Sequence, residues 1–108
     1  VARDDPKALS ALVLIGTTHP KSDNLAGLEL PVAKVYGSND RVAPIEKIDA
    51  NRRLLPEHTR WVLIDGGNHS QFGHYGHQFL DGTATISRSD QQEKTRTVML
   101  ETLQAAMW

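Results

Sequence analysis

The sequence predicts an α/β fold, a parallel sheet with flanking helices. Three observations carry the prediction. Three short, largely apolar runs, Leu12-Val13-Leu14-Ile15, Val32-Ala33-Lys34-Val35-Tyr36 and Trp61-Val62-Leu63-Ile64, recur along the 108 residues, and each is followed within two residues by glycine. The first run is unbroken rather than alternating, which suits a strand covered on both faces, as parallel strands are. The connections are too long for hairpins: residues 17–30 just supply the dozen or so that a parallel crossover needs, and a helical pattern separates the second run from the third.

Residues 1–10 are polar and interrupted by Pro6, like the tail of a preceding element. Residues 9–16 form the first strand, closed by Gly16, and residues 17–30 a loop with one short helical turn. The second strand covers residues 32–36. Pro44 suits a first helical turn, Ile45, Ile48 and Leu55 fall near one helical face, and Pro56 stops that helix after Leu55. The third strand is residues 61–64. Residues 70–88 are rich in glycine and aromatics, lack periodicity, and are long for a structureless loop, a combination more often functional than accidental. Ser89-Asp90-Gln91-Gln92 reads as a capping box, with Ser89 as cap and Gln92 reaching back. It opens a final helix with Thr95, Met99, Thr102, Leu103 and Ala106 toward one side. With no repeat, linker or low-complexity tract, residues 1–108 read as a single domain.

Composition narrows the function classes. Formal net charge is -1, with acids and bases interspersed and no basic run, so nothing marks a nucleic-acid or anionic-membrane partner. A small molecule is the default partner. The absence of cysteine excludes disulfides and thiolate chemistry without choosing a compartment. No apolar run approaches the ~18 residues of a membrane helix. The chain opens on Val1 and its methionines are Met99 and Met107, so it is expected to belong to a longer translation product.

Parallel sheets place their chemistry at the carboxyl ends of the strands, where the crossovers leave a crevice. Two titratable side chains stand there: Asp40, after Gly37-Ser38-Asn39, and His69, after Gly66-Gly67-Asn68. Imidazole can take and return a proton near neutral pH, and a carboxylate can orient it. Plainer readings exist: Asp40 as a turn residue or a helix cap ahead of Pro44, and His69 as a structural loop residue. Asp65 is the rival acid, closer to His69 in sequence. His69, His74 and His77 form a histidine-rich patch, but the spacing is not that of helical metal ligands and no carboxylate or cysteine completes a set, so no metal is expected. Phe72, Tyr75 and Phe79 could line an acyl pocket or cover the sheet edge. Asp81-Gly82-Thr83 is a turn signal first and a site element second. No Gly-rich phosphate loop follows any strand, which disfavours nucleotide and flavin cofactors.

Two motifs together, Val35-Tyr36-Gly37-Ser38-Asn39-Asp40-Arg41-Val42-Ala43-Pro44 and Gly66-Gly67-Asn68-His69-Ser70-Gln71-Phe72-Gly73, make the chain resemble the C-terminal part of an α/β-hydrolase, similar to the carboxylesterase and dienelactone-hydrolase-like branches. The resemblance covers roughly residues 9 to 104. It implies hydrolysis of ester or related acyl bonds by a Ser-His-Asp mechanism, without a cofactor, in which His69 is the general base and acid and Asp40 its orienter. The order Asp40 then His69 agrees with that family. The nucleophile does not transfer: no Gly-x-Ser-x-Gly occurs, and Ser10, Ser22, Ser38, Ser70, Ser87 and Ser89 all lack that context. The serine and oxyanion donors are therefore expected from a missing upstream segment, and the chain alone is expected to be inactive. The partners implied are an ester or acyl substrate and either the missing N-terminal part of the domain or a second copy. The alternative is a non-catalytic interaction module derived from a hydrolase, associating through its exposed sheet edge.

Overall fold

The computed structural model describes residues 10–73 and 81–106. The strands are β1 (Leu12–Ile15), β2 (Val32–Gly37) and β3 (Arg60–Ile64), all parallel and ordered β1-β2-β3, and the helices are α1 (Ile45–Ala50) and α2 (Arg88–Ala106). Leu12 lies opposite Val32 and Ile15 opposite Val35, while Ala33 faces Arg60 and Gly37 faces Ile64. The three strands therefore end close together, and the loops that follow them share one edge of the sheet.

Because successive side chains of a strand point to opposite faces, β2 feeds two cores. Ala33 and Val35 pack with Ile64 and with Val98 of the long helix α2. Tyr36, on the other face, packs with Ala43 and with Ile48 of the short helix α1, and Ile45 and Trp61 close over them. Tyr36 meets Trp61 edge to face at 6.3 Å, and the Arg52 guanidinium lies 3.9 Å from the centre of the Trp61 ring. A sheet with a helix on each face is the predicted layering.

Two helix expectations need correction. The helix foreseen up to Leu55 stops at Ala50 and is followed by a 3-10 turn, Arg52–Leu54. Asn51 has left helical geometry (φ -104°, ψ 8°) and its side chain donates to the Thr18 carbonyl at 3.2 Å, a bond outside the helix. Leu55, forced toward an extended conformation by Pro56, has φ -115° and ψ 155° and is buried nonetheless. The cap of α2 is Ser87, not Ser89: its Oγ accepts the Asp90 N–H at 3.0 Å, two residues earlier than the expected capping box. The buried stripe of α2 is Gln91, Thr95, Val98 and Thr102, whereas Met99 and Leu103 are exposed. Thr95 and Thr102 return their hydroxyls to the carbonyls of Gln91 and Val98, at 2.9 and 2.7 Å, so burying these hydroxyls leaves neither unmet. The crossover between β1 and β2 holds no helix.

Candidate active site

The end of β2 is carried past the regular ladder by Ser38 N–H to the Ile64 carbonyl (3.1 Å) and Asn39 N–H to the Gly67 carbonyl (2.8 Å). These bonds bind the acid loop to the histidine loop. Asp40 follows, with its side chain fully enclosed. Oδ1 accepts the backbone N–H groups of Val42 (2.8 Å) and Ala43 (2.7 Å), which turns the chain toward Pro44 and α1. Oδ2 lies 3.1 Å from His69 Nδ1. Asp40 thus both turns the chain and meets the imidazole, one oxygen each.

Burial pushes the Asp40 carboxyl above its ordinary 3.8, against the opposing pull of the Ala43 N–H, the His69 imidazole and the Val42 N–H. An ionised Asp40 only accepts hydrogen bonds, so Nδ1 of a neutral His69 carries the proton and Nε2 is left with its lone pair free to accept another. His69 keeps about a fifth of its side chain exposed (22%).

The histidine loop is pinned through its backbone and through Asn68. Gly66 sits at φ +83°, where a side chain would be strained, and its N–H donates to Ser38 Oγ at 2.7 Å. Asn68 is buried and uses both ends of its amide: Nδ2 donates to the Gly82 carbonyl (2.9 Å) and Oδ1 accepts Gln71 N–H (3.0 Å). Gln91, wholly buried at the start of α2, pairs with the Asn68 backbone twice, accepting its N–H at 3.2 Å and donating to its carbonyl at 2.7 Å. His69 then opens a 3-10 turn, Ser70–Phe72.

A second carboxylate, that of Asp81, bonds the backbone of the histidine loop. Asp81 accepts N–H bonds from Arg41 (3.3 Å), His69 (3.3 Å) and Gly82 (2.8 Å) on Oδ1, and from Ser70 N–H (2.8 Å) and Ser70 Oγ (2.9 Å) on Oδ2. Burial acts to raise its pKa, but the bonds from Ser70, Arg41 and His69 prevail and hold the carboxyl below the usual 3.8. Sequence reasoning treats Asp81 as a turn residue first, and places Gln91 inside a capping box without seeing its bonds to Asn68. Asp81 is the one acidic residue of the aperiodic segment 70–88, and Gln91 falls in the helical register of Thr95, Val98 and Thr102; these are the signals that could have found them.

The structure brings Asp40 to His69 and leaves Asp65 aside: Asp65 is exposed, and its carboxylate meets Ser38 Oγ at 3.4 Å. Ser70 Oγ is committed to Asp81. Phe72 packs over Gly16 at the end of β1 and joins Ile15, Gln92, Thr95 and Met99 around a concavity of about 430 Å³ beside β1. His74, Tyr75, His77 and Phe79 lie outside the described residues, and with them the histidine patch and most of the expected acyl pocket.

The sequence matches the model of a family described as "Alpha/beta hydrolase family" over residues 1–93. The chain belongs to the alpha/beta hydrolase family. The resemblance to that family and the fold class predicted from sequence are thereby borne out, and the three parallel strands with their helices are consistent with part of an alpha/beta-hydrolase fold. No curated protein matches the chain.

Proposed function

We propose that this member of the family works on ester or related acyl bonds by a Ser-His-Asp mechanism, in the manner of carboxylesterases and dienelactone-hydrolase-like enzymes, with Asp40 and His69 as two of its three catalytic residues. The observation that carries this reading is the 3.1 Å contact between enclosed Asp40 Oδ2 and His69 Nδ1 at the ends of two adjacent parallel strands. In the reaction, a serine attacks the acyl carbonyl while His69 Nε2 takes the hydroxyl proton. Asp40 stabilises the imidazolium so formed, and the imidazolium passes its proton to the leaving alcohol. Water then repeats the sequence on the acyl-enzyme, with Nε2 as base again. Serine and oxyanion donors come from an upstream segment of the same hydrolase domain, of which residues 1–108 are the C-terminal part.

The test compares the 108-residue chain with a longer product that includes a serine elbow. Removing the nucleophile from such a triad costs about 10⁶ in turnover. The short chain should hydrolyse an activated ester no faster than buffer and take up no fluorophosphonate probe, and the longer product should do both. Labelling of any serine in the short chain contradicts the reading. A second reading, a non-catalytic module, draws on the outer edge of β1, which has no strand beside it among the described residues; it predicts that the longer product is as inert as the short one.

A further inference from the structure

The contact between Asp40 and His69 joins two loops that leave different strands, and hydrogen bonding at the strand ends fixes only their bases. Farther out, both loops meet one segment, Asp81-Gly82-Thr83. Gly82 is pressed so closely to the Asn39 carbonyl that a Cβ there would stand 2.0 Å from the oxygen. Asn39 Nδ2 donates to the Thr83 carbonyl (2.8 Å), and Asn68 Nδ2 to the Gly82 carbonyl (2.9 Å). The Asp81 carboxylate spans the gap, taking the N–H of Arg41, next to Asp40 in the chain, and the N–H groups of His69 and Ser70.

We infer that Asp81 is the positioning residue of the Asp40–His69 pair: it sets the distance between acid and imidazole by holding the backbones of both loops on one carboxylate. The inference rests on the reading of Asp40 and His69 given above. A residue closing only its own turn would accept the Gly82 N–H and nothing more, whereas Asp81 also takes bonds from Arg41, His69 and Ser70, all eleven or more residues away. The charge matters as much as the shape. Backbone N–H groups point at both oxygens, so an asparagine in either orientation sets its own N–H₂ against a backbone donor.

The test is the imidazole Nδ1–H proton of His69 in the 108-residue chain, followed by NMR as a downfield signal protected from exchange. Asp40→Asn is the control. It removes the charged acceptor and should abolish the signal; if the signal survives there, the pairing of Asp40 with His69 is wrong and the functional reading falls with it. With the control behaving, Asp81→Asn should also lose the signal while the sheet amides of β2 and β3 keep their dispersion. A folded Asp81→Asn chain with the signal intact overturns the inference alone. Should that variant fail to fold, Ser70→Ala decides, since it deletes the hydroxyl bond to Oδ2 and leaves the carboxylate in place. Its Nδ1–H should exchange several-fold faster than in the parent chain, and an unchanged rate overturns the inference.

Discussion

Asp40 divides its carboxylate between backbone and imidazole, and the division explains why an enclosed acid survives near the sheet edge: both of its oxygens meet donors. Lys34, two positions before Tyr36 and on the same face of β2, is a less comfortable charge. It is 1% exposed, its Nζ donates to the His19 carbonyl, and burial lowers its pKa from 10.5 to about 8. That lowering corresponds to about 3 kcal/mol against the charged form. The sign follows from proton counts. Below about pH 8 folded and unfolded chains both hold the proton and the folded state carries the whole cost; between about 8 and 10.5 the unfolded chain holds more protons, so stability recovers as pH rises. Lys34→Met should therefore stabilise the chain at neutral pH by about 1–2 kcal/mol once the lost hydrogen bond is set against the relieved burial. Its advantage should shrink as urea unfolding is repeated from about pH 8 to 10.5. A variant less stable than the parent at neutral pH would show that the bond to the His19 carbonyl outweighs the cost of burying the amine.

At the scale of elements, the strands were legible in the sequence because each is a compact apolar run ended by glycine, and the carboxyl ends of β2 and β3 were legible as the place for Asp40 and His69. The face of α2 was not. Its sheet side carries Gln91, Thr95 and Thr102 with Val98, polar residues satisfied by particular partners, while Met99, Leu100 and Leu103 lie exposed, so apolar periodicity points the wrong way. The role of Asp81 escaped for a related reason: its bonds run to loops 11 to 40 residues away, and no local pattern encodes them. Long-range partners likewise make Gln91 the sensitive position of α2. Gln91→Leu would leave the Asn68 N–H and carbonyl buried without their partner, at about 1–3 kcal/mol for each group. A loss of about 3 kcal/mol is expected, read as a lower urea midpoint at unchanged slope. A variant within roughly 0.5 kcal/mol of the parent, the scatter of surface substitutions, would mean that the clasp between α2 and the histidine loop is dispensable.

At the scale of the molecule, β1 pairs with β2 alone among the described residues, its residues are all half-buried, and Met99 of α2, which shares a concavity with Ile15, is exposed. An unpaired apolar strand is a template for another chain. A few hundred Å² of such surface, at about 25 cal/mol per Å², offers several kcal/mol before the cost of association. The 108-residue chain should therefore associate at tens of micromolar, and Leu14→Lys or Ile15→Lys should weaken that association; Leu14 is the cleaner site, because Ile15 also packs against the core under α2. A monomer by sedimentation, indifferent to both lysines, would remove the edge argument. In the proposed mechanism Asp40, not Asp65, serves His69. That assignment is tested most directly by turnover of an activated ester by a longer product carrying the serine, as parent, Asp40→Asn and Asp65→Asn. Asp40→Asn should lose about 10⁴ in kcat by favouring the wrong imidazole tautomer, and Asp65→Asn should stay close to the parent. A larger loss in Asp65→Asn than in Asp40→Asn would assign the role to Asp65 instead.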